Sequence, residues 1–330
     1  MNSFGTFFKV QVFGESHGLY IGVTIDGVPA GIPLNDADFT EDLQRRQGSQ
    51  SKGTTPRKES DIPKIISGYF NEHTTGAPLT ILFENTNIRS NDYDKIRAIP
   101  RPGHADFVAH KKFNGFQDYR GGGHFSARIT VGIVAAGVIA KKILNSLNIN
   151  IESTIIEVGG CSDIEEGIKK AIEHKDSVGA IIRTTAENIP IGWGNPFWNS
   201  LESLLAHAIF AIPAVKGIAF GSGFEAARMF GSEHNDAIVD DSGKTATNHA
   251  GGIVGGLSNG NTIVFDTAFK PTSSTPKEQT SWNWQEKNMQ TFNIKGRHDL
   301  CVALRAPAIV EAMTAIVLVD AYLTENIAPQ

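Results

Sequence analysis

Cysteine is scarce: Cys161 and Cys301 are the only two among 330 residues. Two thiols cannot build a disulfide framework or a four-cysteine zinc site, so a reducing compartment, the cytoplasm, is expected. The ten histidines show none of the regular spacing that metal ligation needs. Long apolar runs are also lacking. The longest, Ile129 to Ala140 and Ala306 to Val319, are shorter than a membrane span, and Glu311 interrupts the second. Both read as buried helices. No basic segment followed by an apolar one opens the chain, so no secretory leader is expected. There is no Gly-x-Ser-x-Gly elbow, no Walker loop and no dinucleotide fingerprint. Linkers and short repeats are missing too; the length suits one large domain or two ordinary ones, and a single domain over 1–330 is expected. Positive charge is not in excess: the formal net charge is -5 and the five tyrosines are dispersed, which disfavours a nucleic-acid module.

What is present is an uneven distribution of bases. Lys95, Arg97, Arg101, Lys111, Lys112, Arg120 and Arg128 face only Asp106 and Asp118 across one segment. Arg45, Arg46, Lys52, Arg57 and Lys58 face Asp42 alone across another. An acidic chain that gathers its bases this way suits a compact anion, although a solvated basic face would look the same. Strands are expected at Lys9 to Val12, Leu19 to Ile25, Lys64 to Phe70, Leu79 to Phe83, Ile151 to Val158, Val178 to Thr184, Gly217 to Phe220 and Thr262 to Ala268. Helices are expected from Asp36, capped by Asn35, and at Ala127 to Leu147, Ile164 to His174, Trp198 to Ile212 and Pro307 to about Leu323. Strands and helices mix without a regular βαβ alternation. That pattern reads as α+β, with buried helices covered by sheets and one long apolar helix in each half.

Five segments carry polar chemistry. Gly14-Glu15-Ser16-His17-Gly18 places a histidine just after a strand, as either a proton donor or a plain turn residue. In Arg101-Pro102-Gly103-His104-Ala105-Asp106 an arginine and a histidine flank a turn, a pairing that suits an anionic leaving group or ordinary turn decoration. Asp118 to Thr130 runs three glycines into a helix N-terminus, with Arg120 and Arg128 on either side, which favours an anion. Asn248 to Gly260 holds two glycine pairs able to approach a flat ligand, and Lys270 to Thr275 offers a lysine and hydroxyls for a phosphate. Lys295 to Pro307 contains Arg297, His298 and Asp299 just before a buried helix. A phosphotransferase is the rival enzyme reading, but no loop combines a phosphate lysine with a magnesium carboxylate.

Taken in order, GESHG, RPGHAD, DYRGGG…SAR, NHAGG, KPTSS and GRHD resemble the chorismate synthase family, from Gly14 to about Asp320. The resemblance implies a β-α-β sandwich with buried helices between antiparallel sheets, internally duplicated, assembled as a homotetramer. It implies a lyase that eliminates phosphate from 5-enolpyruvylshikimate 3-phosphate, with trans-1,4 geometry, to give chorismate for aromatic amino acid biosynthesis. It also implies reduced FMN as cofactor without net redox change; no appended reductase domain is recognisable, so a separate flavin reductase is expected to supply it. By position, the resemblance assigns catalytic roles to His17 near the flavin, His104 near the leaving phosphate and Asp299 near the flavin N5. Substrate or NADP phosphate contacts fall on Arg46, Lys52, Arg101 and Arg128, with Arg297 also touching substrate. Flavin contacts fall on His124, Phe125, Ser126, Pro213, Ala214, Gly255, Lys270, Pro271, Thr272, Ser273, Ser274 and Arg297. The chain departs from the family pattern at Lys52 (usually arginine), His124-Phe125 (usually Arg-Ser), Ile129 (commonly an acid) and Leu300 (usually proline).

Overall fold

The computed structural model describes residues 2–47, 53–54, 59–86, 98–294 and 299–327. The first half lays down β1 (Ser3–Phe4), β2 (Lys9–Gly14), β3 (Tyr20–Asp26), α1 (Thr40–Gln47), β4 (Lys64–Ser67) and β5 (Leu79–Glu84). It continues with α2 (Asp106–Lys112) and the long α3 (Thr130–Asn145). The five strands form one antiparallel sheet in the order β1-β2-β3-β5-β4. The second half contributes β6 (Asn150–Val158), α4 (Ile164–His174), β7 (Ala180–Glu187), α5 (Leu201–Phe210), β8 (Val215–Phe220) and β9 (Ile263–Phe269). Those strands form a second antiparallel sheet in the order β8-β9-β7-β6. A hairpin, β10 (Gln279–Asn283) and β11 (Asn288–Phe292), then leads to α6 (Pro307–Ile327).

The two long helices lie between the sheets. α3 packs on β2, β3 and β5, α6 packs on β6 and β7, and the helices pack on each other. This is the expected α+β sandwich, with a sheet and then a long helix in each half. Both helices are apolar around most of their circumference, because each must bury one side against a sheet and another against its neighbour. Small residues permit the close approach. A Cβ built on Gly137 would lie only 2.3 Å from Ala312 Cβ. By length and hydropathy Pro307–Asn326 would suffice to cross a membrane, longer than the apolar run suggested. Here it is the core helix, with Val310, Ala315 and Leu318 fully buried.

Polar side chains pin the layers together. Glu311, inside α6, accepts from Arg45 of α1 at 2.6 and 2.7 Å and from Lys141 of α3 at 2.8 Å. Burial alone would raise the Glu311 carboxyl, but Arg45 and Lys141 hold it below its ordinary range. Asp320, one helical face further on, accepts from the backbone amides of Thr6, Phe7 and Phe8 at 2.7 to 3.0 Å, which ties the last helix to the first strands.

Several boundaries differ from the sequence-based expectation for local reasons. Asn35 does cap, accepting from Ala37 N at 3.0 Å, but the first turn, Asp36–Phe39, is a 3-10 helix. The strand expected over Lys64 to Phe70 breaks at Gly68, whose φ of 75° and contact with Leu79 turn the chain. Ser200, not Trp198, starts the next helix, by accepting from Ser203 N at 3.2 Å.

Candidate active site

One open cavity of about 630 Å³ collects side chains from both halves of the chain, a size suited to small-molecule ligands. Its walls come from the end of α1, the Arg101 to Ala105 turn, the glycine run with Ser126 to Arg128, the link from α5 to β8, the Lys270 to Ser274 loop and the start of the last helical segment. A smaller cavity of about 360 Å³ shares Arg101, His104 and Phe125 with it and continues to His110, Tyr119 and Trp284.

The turn at Pro102-Gly103 is built around Asp106. Its carboxylate accepts from Arg101 Nε at 2.7 Å and Nη2 at 2.8 Å, while His104 Nδ1 lies 2.6 Å away. Burial would raise the Asp106 carboxyl; hydrogen bonds and charge from Arg101 and His104 instead hold it far below the usual range. A carboxylate at Nδ1 fixes the proton there and leaves Nε2 for chemistry. Arg101 Nη2 is 3.1 and 3.3 Å from the two ring nitrogens, so the guanidinium lies across the imidazole. Arg101 Nη1 reaches Ser274 Oγ at 3.3 Å, and Lys270 Nζ and Ser273 Oγ both donate to Gly103 O, at 3.1 and 2.7 Å. The second-half loop is thereby bolted to the first-half turn. Burial and then the neighbouring Lys216 lower the Lys270 ammonium.

The glycine run explains how two histidines come together. A Cβ on Gly121 would lie 2.7 Å from His17 Nε2, and one on Gly122 would lie 3.2 Å from His104 Nε2. Both glycines have positive φ, so neither their backbone nor their surroundings accept a side chain. His17 is buried behind Gly121, and it is Gly121 that lines the cavity. Ser16 N donates to Gly123 O at 3.1 Å and locks the histidine turn to the run.

A third cluster holds Arg46 and Arg128. Both are buried, and both pair with the carboxylate of Asp61. Arg128 Nε also donates to Asn85 Oδ1 at 3.0 Å, and Asn85 Nδ2 donates to Glu15 O and Gly18 O at 3.1 and 2.8 Å. Burial, reinforced by Arg128 and Arg305, pulls the Arg46 guanidinium down to about 10 against the attraction of Asp61. Asp299 is buried on the same cavity, held by Arg305 at 2.9 Å.

A family model described as chorismate synthase matches residues 8–323. The chain belongs to the chorismate synthase family. It is 62% identical over 326 residues to a chorismate synthase of Chitinophaga pinensis, covering 99% of this chain and 98% of that one. It is 41% identical over 362 residues to one of Methanocaldococcus jannaschii, with 97% and 96% covered. A solved structure described as a crystal structure of chorismate synthase matches with a TM-score of 0.73 at 26% identity, over 98% of this chain and 93% of that chain.

Of the residues expected from the family pattern, Arg46, Arg101, His104, His124, Phe125, Ser126, Arg128, Pro213, Ala214, Lys270, Thr272, Ser273, Ser274 and Asp299 line the one cavity. Pro271 sits in the same loop against Gly179. Gly255 does not line the cavity. It lies between the short strands Ile253–Val254 and Leu257–Ser258. The glycines nearby serve the chain itself: a Cβ on Gly251 or Gly252 would meet backbone atoms of Gly221 or Thr262 at 2.4 and 2.6 Å. Lys52 and Arg297 lie outside the described residues. His124 is exposed, with its ring nitrogens 3.3 Å from Gly14 O and 3.0 Å from Asn2 Oδ1, and Phe125 packs near Phe113. The basic residues are not short of carboxylate partners, as their sequence neighbourhoods suggested. Asp61, Asp106 and Asp299 supply them. Sequence reasoning gave no role to Asp61, Asn85, Lys216 or Arg305. Only Asp106 carried a signal, standing inside the Arg101 to Asp106 motif.

Proposed function

We propose that this enzyme is a carbon–oxygen lyase that eliminates phosphate from 5-enolpyruvylshikimate 3-phosphate to give chorismate, with reduced FMN as cofactor and no net redox change. The convergence of Arg46, Arg101, Arg128 and Lys270 on one cavity carries this reading, because the substrate bears a phosphate and two carboxylates. The residues also fit a flavin phosphate. Lys270 Nζ and Ser273 Oγ lie 2.7 Å apart on one wall, and the buried Thr272 Oγ1 has no partner among the described residues. Pro213, Ala214, Ser126 and the Lys270 to Ser274 loop would hold the cofactor. Bound reduced FMN supplies an electron-rich ring that leaves the reaction in the redox state in which it entered.

The side chains of the protein do the rest. Arg46, Arg128 and Arg101 neutralise the anionic groups of the substrate and orient it. His104 acts as an imidazolium: Asp106 holds its Nδ1–H, and Nε2–H gives its proton to the departing phosphate, leaving the ring neutral with the Nδ1 proton kept. Asp299, held by Arg305, takes part in removing the ring proton. His17, directly behind Gly121, would hold a proton for the bound cofactor. Exposed Phe197, Trp198, Phe224 and Phe230 support assembly with further copies, as a homotetramer. Two free thiols and a reduced cofactor both suit the cytoplasm, with the flavin reduced by a separate reductase.

An anaerobic assay with reduced FMN and 5-enolpyruvylshikimate 3-phosphate tests the proposal. Chorismate and phosphate should form in equal amounts while the flavin stays reduced. Flavin oxidised in step with product, or no product from bound substrate, would overturn it.

A further inference from the structure

The wall that carries Arg46 and Arg128 poses an electrostatic problem. Their residues are only 3% and 6% exposed, and two like charges in one dry wall repel. The carboxylate of Asp61 sits between them. Its Oδ2 faces Arg46 Nη2 and its Oδ1 faces Arg128 Nη1, with its side chain wholly buried. Gln47 Nε2 donates to the same Oδ2 at 3.2 Å. The backbone at Asp61 adopts a φ of 46°, in the left-handed region that, after glycine, Asn and Asp enter most readily. Each guanidinium keeps a nitrogen uncommitted: Arg46 Nε and Arg128 Nη2 have no hydrogen-bond partner among the described residues.

We propose that Asp61 is a positioning residue of the anion site: it clamps one arm of Arg46 and one arm of Arg128, and so aims both guanidiniums at the phosphate of the substrate. The inference rests on the substrate reading above. It goes beyond that reading in naming the group that holds the arginines, a carboxylate that would by its charge alone repel the ligand. The two arginines and Asp61 together carry one net positive charge. Neutralising Asp61 would leave two. A purely electrostatic account therefore predicts tighter anion binding after neutralisation, whereas positioning predicts weaker binding. The sign of the change separates the two.

The test is calorimetric titration of the full chain with inorganic phosphate and with 5-enolpyruvylshikimate 3-phosphate, together with steady-state kinetics. Asp61→Asn is expected to weaken both ligands by about tenfold or more and raise KM, leaving kcat at saturating substrate within about threefold. Asp61→Glu keeps the charge on a longer arm and should recover part of the lost affinity. Equal or tighter binding in Asp61→Asn, or a lowered melting temperature with unchanged KM, overturns the proposal. If Asp61→Asn does not fold, Asp61→Glu decides alone: a displaced clamp should weaken phosphate binding by about threefold or more, and wild-type affinity overturns the idea. A wild type that binds phosphate but not the enolpyruvyl substrate would sink the functional reading, while the phosphate comparison still judges Asp61.

Discussion

At His104 the proposed proton transfer needs a proton on Nε2 as well as on Nδ1, and Asp106, 2.6 Å from Nδ1, favours the doubly protonated ring by facing it with a carboxylate. His104→Ala should lower turnover by about 10²–10⁴-fold, the usual contribution of a positioned general acid, while substrate still binds. Single-turnover kinetics beside a binding titration check this; wild-type turnover would make His104 a spectator. Asp106 also stabilises the fold, and with a definite sign. Its folded-state carboxyl is held below the ordinary 3.8, so its contribution is complete above that value and is lost as pH falls through the lower, folded one. The stability gap between wild type and Asp106→Asn should therefore be constant near neutrality and shrink below about pH 4 in urea melts. A gap that widens in acid would contradict the pairing. Histidines and arginines at glycine turns were legible in the sequence because turn chemistry is local. Asp61 was not, because it stands 15 residues from Arg46 and 67 from Arg128, and only the fold brings them together.

Elements were legible where one periodicity governed a whole segment. α3 and α6 announce themselves as runs of small and branched apolar residues, and the glycine-bounded alternation of β2 and β3 is equally plain. The hairpin β10–β11 and the short α2 escaped, because neither presents an apolar stripe. Trp282 and Met289, paired across the hairpin, are both exposed. The packing of α3 against α6 is the element-level feature most open to test. The close approach at Gly137 leaves no room for a methyl group, and Ala312 presents backbone as well as side chain there, with Cα only 2.5 Å from the built Cβ. Gly137→Ala should gain helix propensity yet lose stability overall, since forcing an atom into a full core costs about 1–3 kcal/mol. Denaturant unfolding measures the balance; a stabilised variant would mean that the two helices separate freely.

For the whole molecule, the site belongs to neither half. Arg46, Arg101 and Arg128 come from the first sheet's side of the chain, and Lys270 to Ser274 with Asp299 come from the second. Ligands that bridge the halves should therefore stabilise the complete fold. Substrate at a hundredfold excess over its Kd should add about 2.7 kcal/mol, visible as a higher melting temperature. No shift with substrate present would argue against binding in this cavity. The clasp between Asp320 and the amides of Thr6 to Phe8 has a different reach, because its partners are separated by up to 314 positions. On a ribosome adding about 5–20 residues per second, the opening strands are made roughly 15 to 60 s before the carboxylate that secures them exists. During translation the nascent first sheet must wait with the slot for α6 unfilled, so the emerging chain is most in need of chaperone shelter just before its last helix is made.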